Sequence, residues 1–485
     1  MERVLPTFAA YIRTIAAAMP RRLGLVTSLT AIGALTEGIG LLILVPLLHL
    51  IGIDVRQGTA GQVAHSVTVA FGWLGVPLNL ISVLMLYVLL IGGDASLRRW
   101  QTVTYSSLQA GFTAYLRKRL YRAVTQANWV QLTRYRASDL THAMTGQVER
   151  AGLGTQLLLS MLRDGMRASV YLGATLYLSL PVTTLVVLAG LVLVLLLRRT
   201  TQTASHLGAT MSRLSAETYR SVMEHLGGIK MAKSYGAEER SIRLFGVLAD
   251  TVAETNRRAL IAQADAKCRF DIGAALVLGM ILYVAIAILH TPTAVLLVLL
   301  FAFARVMPIV SAFEQSIQRL LSVLPDFAVV LAVEASLAPR ADPGLAPREA
   351  LRLRTSVRLD SVSFRYEDAA EPALLSVTLT IPAGQTTAIV GPSGSGKSTL
   401  ADVLLGLVIP EEGRVLVDEI PLTPGLLPAW RAEIGYVPQD TFLFHDSVRA
   451  NLRWARPSAT EAELQEALEV ASSGFVKRLP QGLDT

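Results

Sequence analysis

The chain has 485 residues, of which 52% are hydrophobic and 17% charged. That balance is too apolar for a soluble protein of this length and points to a bilayer. The net charge of +7 raises nucleic acid as a partner, but no basic patch interleaved with aromatics and no reader motif accompanies it, so nucleic acid is set aside. The single cysteine, Cys268, forms no internal disulfide and has no metal-ligand neighbours in sequence, which removes a disulfide framework and a thiolate metal site.

Residues 4–19 place apolar side chains at helical spacing around Arg13, and Pro20-Arg21-Arg22 interrupts them. This predicts an amphipathic helix on the inner membrane surface. The apolar run after Arg22 is too long for a signal peptide and lacks a small-residue cleavage site, so it is expected to stay as the first span. Six segments, residues 23–53, 78–97, 156–180, 182–197, 272–290 and 294–315, approach or exceed the roughly 20 residues a helix needs to cross a bilayer. Leu180-Pro181 and Thr291-Pro292-Thr293 read as tight turns, and residues 54–77 carry one fixed positive charge, Arg56. Residues 98–155, by contrast, contain Arg98, Arg99, Arg117, Lys118, Arg119, Arg122, Arg134, Arg136 and Arg150, and residues 198–270 are similarly basic. The positive-inside rule puts both segments and both termini in the cytoplasm.

The two basic segments keep a helical period, broken near residues 129–138 and 228–235. Each therefore reads as an arm of two helices with a tip at the break, reaching roughly 40 Å below the membrane at 1.5 Å per residue. Inside the spans Glu37, Arg163, Asp164, Arg167 and Arg305 are candidates for a substrate pathway or for pairing between helices, since each is costly in lipid without a partner or water. Pro46 and Pro308 are expected kinks. Residues 1–337 thus form an α-helical polytopic membrane domain, and the Pro/Gly/Ala-rich stretch 338–353 is a linker. Residues 354–485 change to short alternating strands at 357–365, 373–381, 386–390, 414–417 and 434–437.

The run Gly391-Pro392-Ser393-Gly394-Ser395-Gly396-Lys397-Ser398-Thr399 follows an apolar strand-like segment and opens a helical pattern through Leu400, Val403, Leu404 and Leu407. Its glycines let the backbone curl so that N–H groups converge on phosphate oxygens, and the helix offers its positive end to the same anion. Lys397 then reaches the β- and γ-phosphates and Ser398 ligates Mg²⁺, which makes this a partial α/β phosphate-loop domain for a nucleoside triphosphate.

With six spans, helical arms, a linker and this loop in order, the whole chain resembles an ATP-binding cassette exporter of the fused half-transporter kind. The resemblance implies that Tyr366 stacks on the adenine and that Gln439, in Tyr436-Val437-Pro438-Gln439-Asp440, touches Mg²⁺ and senses the γ-phosphate. It implies that residues 441–452 face the arm tips. It further implies ATP and Mg²⁺ as cofactors, a second half-transporter as partner in a homo- or heterodimer, and a membrane lipid setting in a bacterial inner membrane. The work implied is ATP-driven export of a small-molecule, lipid or peptide substrate by alternating access.

The pattern departs from that family after residue 452. The signature loop, the aspartate–glutamate pair on a strand and the switch histidine are not found before Thr485, so the reading expects a truncated exporter with no catalytic base of its own. Its alternative is a membrane fragment or regulator that binds ATP without hydrolysing it. Val415-Leu416-Val417-Asp418-Glu419 has the form of a strand ending in a magnesium and base pair, but about twenty residues after Lys397 the family has a plain strand and turn. His445 is likewise not read as a switch.

Overall fold

A computed structural model describes residues 4–50, 80–178, 180, 184, 187, 198–288, 293–337, 351–367 and 369–485. The predicted loop 54–77, most of the fourth span, the turn around Pro292 and most of the linker lie outside those residues. The chain divides into two compact units, Met1–Asp342 and Pro343–Thr485.

The first unit's described residues are helices joined by short turns: α1 Val4–Ala18, α2 Pro20–Leu50, α3 Leu80–Gln126, α4 Trp129–Leu132, α5 Ala137–His142, α6 Val148–Leu178, α7 Arg198–Gly227, α8 Ile229–Ser234, α9 Glu238–Tyr283 and α10 Thr293–Leu337. Long apolar runs with few breakers take this form because a helix pairs its own backbone where no water can. Among the described residues Glu238–Ile288 and Phe303–Leu337 are long and apolar enough to cross a bilayer by composition. Helix α3 runs 47 residues without a break, about 70 Å at 1.5 Å per residue. One rod therefore covers the predicted second span and the descending limb of the first arm.

Both arms turn where the apolar period fails. After α3 the Asn128 side chain accepts from the Val130 amide at 3.1 Å and caps the four-residue α4. After α7 comes the six-residue α8, and Gly236 at φ +62° bends the chain into α9. A π-helical turn, Ala143–Gln147, joins α5 to α6.

The core of this unit is an aromatic knot. Tyr11 of α1 meets Phe327 of α10 at 4.5 Å and Phe112 of α3 at 5.7 Å, both edge-on, and all three are fully buried. The Tyr11 hydroxyl donates to the Ala151 carbonyl and bonds Thr155 at 3.0 Å, and burial pushes this phenol up from its ordinary range. The amphipathic α1 is thus not laid only on a membrane surface. Its inner face is spent on α3, α6 and α10, while Leu5 and Ile12 stay exposed on the other side.

A polar seam runs beside the knot. Asp326 of α10, 1% exposed, accepts from Arg150 of α6 at 2.7 Å and from Ser212 of α7 at 2.6 Å. Farther along α7, Arg220 pairs with Asp139 at 3.0 Å, Glu224 pairs with Arg136 at 2.8 Å, and Tyr219 packs against His142 at 5.3 Å. Burial lowers the His142 pKa although Asp326 and Asp139 pull it up. Within the expected third span Arg163 pairs with its neighbour Asp164 at 3.0 Å. The Glu37 side chain lies outside the described residues.

The second unit is built on a four-stranded antiparallel sheet, order β2-β1-β3-β4, from β1 Ser356–Phe364, β2 Leu374–Pro382, β3 Glu412–Val417 and β4 Ile420–Pro421. Val357, Leu359, Val362 and Phe364 of β1 are buried. Helices α11 Lys397–Leu404, α12 Leu427–Ala432, α13 Val448–Ala455 and α14 Glu461–Val470 complete it. The strands expected at 386–390 and 434–437 are absent. Both segments are irregular, with Val390 88% and Val437 85% exposed. A strand needs a neighbour for its ladder, and neither segment pairs with the four-stranded sheet.

The knot predicts a large loss for Phe327→Ala, about 3 to 5 kcal/mol for an emptied aromatic site in a packed core. Scanning fluorimetry of the detergent-solubilised chain should show a clearly lower unfolding midpoint, while Phe442→Ala, at a 75% exposed position, should leave it in place. Equal midpoints for the two variants would contradict this packing.

Candidate phosphate-loop site

The predicted loop spans the end of an irregular segment and the first turn of α11. Gly394 and Gly396 take φ +82° and +87°, the left-handed region that a side chain disfavours. A Cβ on Gly396 would lie 2.5 Å from the Ala373 carbonyl, so that position is closed to other residues on two counts. Gly396 also provides no side-chain cap to α11. The first-turn amides of Lys397, Ser398 and Thr399 therefore have no intrahelical acceptor, since an α-helix leaves its leading N–H groups unpaired. The Lys397 ammonium folds back over the loop and donates to the carbonyls of Gly391 at 3.0 Å and Pro392 at 2.7 Å. Those neutral acceptors hold a full positive charge beside uncapped helix donors, and an anion entering here would meet both.

The far end of α11 is fixed by side chains that no motif marks. The Trp430 indole donates to the Leu404 carbonyl at 2.8 Å and Arg431 donates to the Gly406 carbonyl at 2.5 Å. A tryptophan–arginine pair some twenty-five residues downstream carries no signal in sequence that announces that role.

Tyr366 is half-buried, edge-on to Phe364 at 5.0 Å, and its hydroxyl lies 3.4 Å from the Thr399 hydroxyl. The structure thus brings Tyr366 to the helix that carries Lys397. Ser393, Ser395 and Ser398 surround the same turn, with Ser395 Oγ 3.5 Å from the Lys397 ammonium. Gln439 is not brought in. It sits in an exposed bend, and among the described residues no hydrogen bond links it to the loop. Among the described residues there is also no cluster of three His, Cys, Asp or Glu side chains able to hold a metal. Ser398 is the hydroxyl at this turn that would hold Mg²⁺ together with phosphate oxygens and water.

The Asp418-Glu419 pair has another use. Both residues take positive φ, +48° and +68°, in the two-residue turn between β3 and β4. The Asp418 carboxylate accepts from the amides of Arg354, Thr355 and Ser356 at 2.6, 2.7 and 2.9 Å, and Glu419 pairs with Arg358 at 2.7 Å. These are turn and staple residues.

The stretch after Gln439 presents an apolar surface. Phe442 and Leu443 are three-quarters exposed, Phe442 meets Phe444 edge-on at 5.2 Å, and Phe444 packs on Trp454 at 4.2 Å. Asn451 holds the turn by accepting from the Phe444 amide at 2.8 Å and donating to its carbonyl at 3.0 Å.

A helical membrane unit followed by an α/β unit with a phosphate loop defines a class of nucleotide-dependent membrane proteins. Residues 23–313 match the ABC transporter transmembrane region, and residues 374–482 match the ABC transporter domain. The chain belongs to the ABC transporter family, with its membrane region and its transporter domain on one chain. It is 26% identical over 427 residues to the heterocyst differentiation ATP-binding protein HepA of Nostoc sp., covering 86% of this chain and 68% of that protein. It is 29% identical over 357 residues to an ATP-dependent lipid A-core flippase of Shewanella sp. (strain MR-4), covering 70% and 57%. It is 28% identical over 396 residues to the multidrug resistance-like ATP-binding protein MdlA of Escherichia coli, covering 76% and 63%. The chain spans 57% to 68% of the length of these relatives.

The Asp418 staple sets a pH dependence. The Ser356 amide foremost, then the Thr355 hydroxyl and the amides of Thr355 and Arg354, lower the carboxyl to about 2 from an ordinary 3.8. A depressed carboxylate stabilises the fold above its unfolded value and loses that contribution as pH falls toward the folded one. Asp418→Asn should therefore speed amide exchange at residues 354–356 at neutral pH, and the difference from the parent should close between about pH 4 and about pH 2. A difference that persists at full size below pH 2 would place the stabilisation elsewhere.

Proposed function

We propose that the chain is one half of an ATP-driven exporter, working as a dimer and moving an amphipathic substrate by alternating access. The observation that carries this reading is the Lys397 ammonium, held 2.7–3.0 Å from two loop carbonyls beside uncapped helix donors, in a chain whose other unit is a bundle of rods. The loop trades those carbonyls for phosphate oxygens when ATP arrives, a stronger pairing because both partners are charged. In this reading residues 391–399 cradle the phosphates, Tyr366 meets the adenine, and Ser398 with Gln439 attends Mg²⁺. Mg²⁺ supplies charge neutralisation across the phosphates. Gln439 would have to move to join them.

The proposed domains are residues 1–337 for the six-span membrane part, 338–353 for the linker and 354–485 for the nucleotide part. Both termini lie in the cytoplasm of a bacterial inner membrane. The short helices α4 and α8 form the tips of the two arms in the first unit, and Phe442, Leu443 and Trp454 are exposed apolar side chains of the second. The aromatic knot and the Asp326 seam tie α1, α3, α6, α7 and α10 together, so a displacement at the first tip travels up several rods at once. Names among the relatives, a lipid A-core flippase and a multidrug resistance-like protein, support an apolar or amphipathic cargo.

A second reading has one observation in its favour. Asp418 is taken by backbone amides and Glu419 by Arg358, so neither polarises water, and the chain on its own holds ATP without turning it over.

Lys397→Ala should weaken ATP binding by about 10- to 100-fold, the cost of one charged hydrogen-bonding partner. Titration of a fluorescent ATP analogue into the purified chain reads this directly. Equal affinity in parent and variant would remove the loop from the site.

A further inference from the structure

A cavity of about 550 Å³ lies in the first arm, between the C-terminal ends of α3 and α10. Its size falls among small-molecule sites, about 300 to 1,000 Å³. Tyr115, Lys118, Arg119, Arg122 and Gln126 line it from α3, recurring every three or four residues and so forming one stripe of that helix. A stripe that faces another helix is ordinarily apolar, as the buried Phe112, Leu116 and Leu120 are, but this one is cationic. Among the described residues Glu334 of α10 is the one acidic side chain in the lining, and Arg119 takes it. Arg117, just outside, is taken by Glu149 at 3.2 Å. Lys118 and Arg122 are exposed and have no acidic partner among the described residues, so the lining keeps two uncompensated cations one helical turn apart. Like charges at that spacing repel, a cost that an anion between them removes.

The walls are fixed by contacts of their own. The Ser336 carbonyl of α10 accepts from the Gln131 side chain at 3.1 Å, and the Ser336 hydroxyl bonds Tyr135 at 2.5 Å. Gln131 and Tyr135 belong to the tip of the first arm, so the tip holds the end of α10 against α3. Leu337, 1% exposed, and the half-buried Tyr115 and Ala123 give the cavity an apolar side. Its depth excludes lipid as the occupant. The α3 lining begins about eighteen residues past the proposed end of the second span at 97, about 27 Å along the helix at 1.5 Å per residue, which is beyond the headgroup layer. The linker that follows Leu337 is not complementary either, since residues 338–353 hold Arg340, Arg348 and Arg352 against Asp342 and Glu349.

We propose that this cavity binds a water-soluble organic phosphate monoester, with Lys118 and Arg122 holding the phosphate and the side formed by Tyr115 and Leu337 taking the organic part. A phosphate monoester carries roughly 1.5 to 2 negative charges at pH 7, which matches the two uncompensated cations. The Arg122 fork offers parallel donors to two of its oxygens, and Lys118 adds a point charge. A ligand that touches both α3 and α10 braces the joint between the arm and the rod that leads into the linker, and stabilises that arrangement over any in which the two helices part. The site stands apart from the nucleotide reading above, because none of its residues belongs to the phosphate loop.

The test titrates the full chain, in nanodiscs of neutral phosphatidylcholine, with phenyl phosphate by calorimetry. Phenyl sulfate, a singly charged analogue of the same shape, and inorganic phosphate are titrated beside it. The parent should bind phenyl phosphate about tenfold or more tighter than either. Arg122→Gln and Lys118→Gln should each weaken it by about tenfold, Arg122→Lys should keep most of it, and Arg257→Gln, at an exposed cation already paired with Glu254, should leave it unchanged. Equal binding of phenyl sulfate, or parental affinity in Arg122→Gln, overturns the site. Inorganic phosphate that binds as tightly as phenyl phosphate assigns the cavity to free phosphate and overturns the organic part. Lys397→Ala should bind phenyl phosphate as the parent does, and loss of binding there would assign the signal to the phosphate loop and overturn the cavity. Binding of a fluorescent ATP analogue is followed in the same samples and should be unchanged in the Lys118 and Arg122 variants, which shows that they fold. A parent that binds phenyl phosphate but no ATP would defeat the nucleotide reading and leave this site standing, and the reverse pattern would do the opposite.

Discussion

Backbone hydrogen bonding is the constraint on which both units depend. Where the chain runs through an apolar environment each N–H must find a carbonyl within the same segment, and the result is helices of 45 to 47 residues such as α3, α9 and α10 that do not stop at the proposed membrane boundary. In the second unit the same accounting leaves a local deficit. Gly396, at φ +87° and without a capping side chain, starts α11 with its leading amides unclaimed. One unit satisfies its backbone along rods, and the other keeps a few donors open at one turn.

The rods are joined by interactions of two kinds with different consequences. The Tyr11, Phe112 and Phe327 knot is apolar, fully buried and edge-on, and it fixes spacing without asking for charge. The seam through Asp326, Arg150 and Ser212 is polar, and Asp326 and Ser212 are buried within it. Removing one partner there leaves another stranded, so the seam holds one arrangement of α6, α7 and α10 against near alternatives. Surface pairs such as Arg257 with Glu254 contribute little beside it. The seam extends to the tip of the first arm through Asp139 and Arg220 and through His142 and Tyr219.

Much of this architecture is legible in the amino-acid sequence alone. The apolar runs, the breaks at residues 129–138 and 228–235 and the glycine spacing from 391 to 399 each follow from a local rule, and local rules survive folding. What the sequence hides is non-local. The segments 386–390 and 434–437 carry strand-like residues, yet a strand is defined by its neighbours, and no composition states whether a neighbour is within reach. Asp418 resembles a chemical group because it ends an apolar run, and only the amides of residues 354–356 reveal it as a staple. Trp430, Arg431 and the Asp326 seam are hidden for the same reason, since each acts across a long separation in sequence. Gln439 shows the converse, a motif whose residue is present while its geometry is not assembled.

The central claim is that the open turn before α11 grips phosphates and not merely an adenosine ring. Calorimetric titration of the full chain with ATP and with AMP in the presence of Mg²⁺ separates the two. The account predicts at least about tenfold tighter binding of ATP, since only its outer phosphates reach the Lys397 ammonium and the uncapped amides. Equal affinities would contradict it.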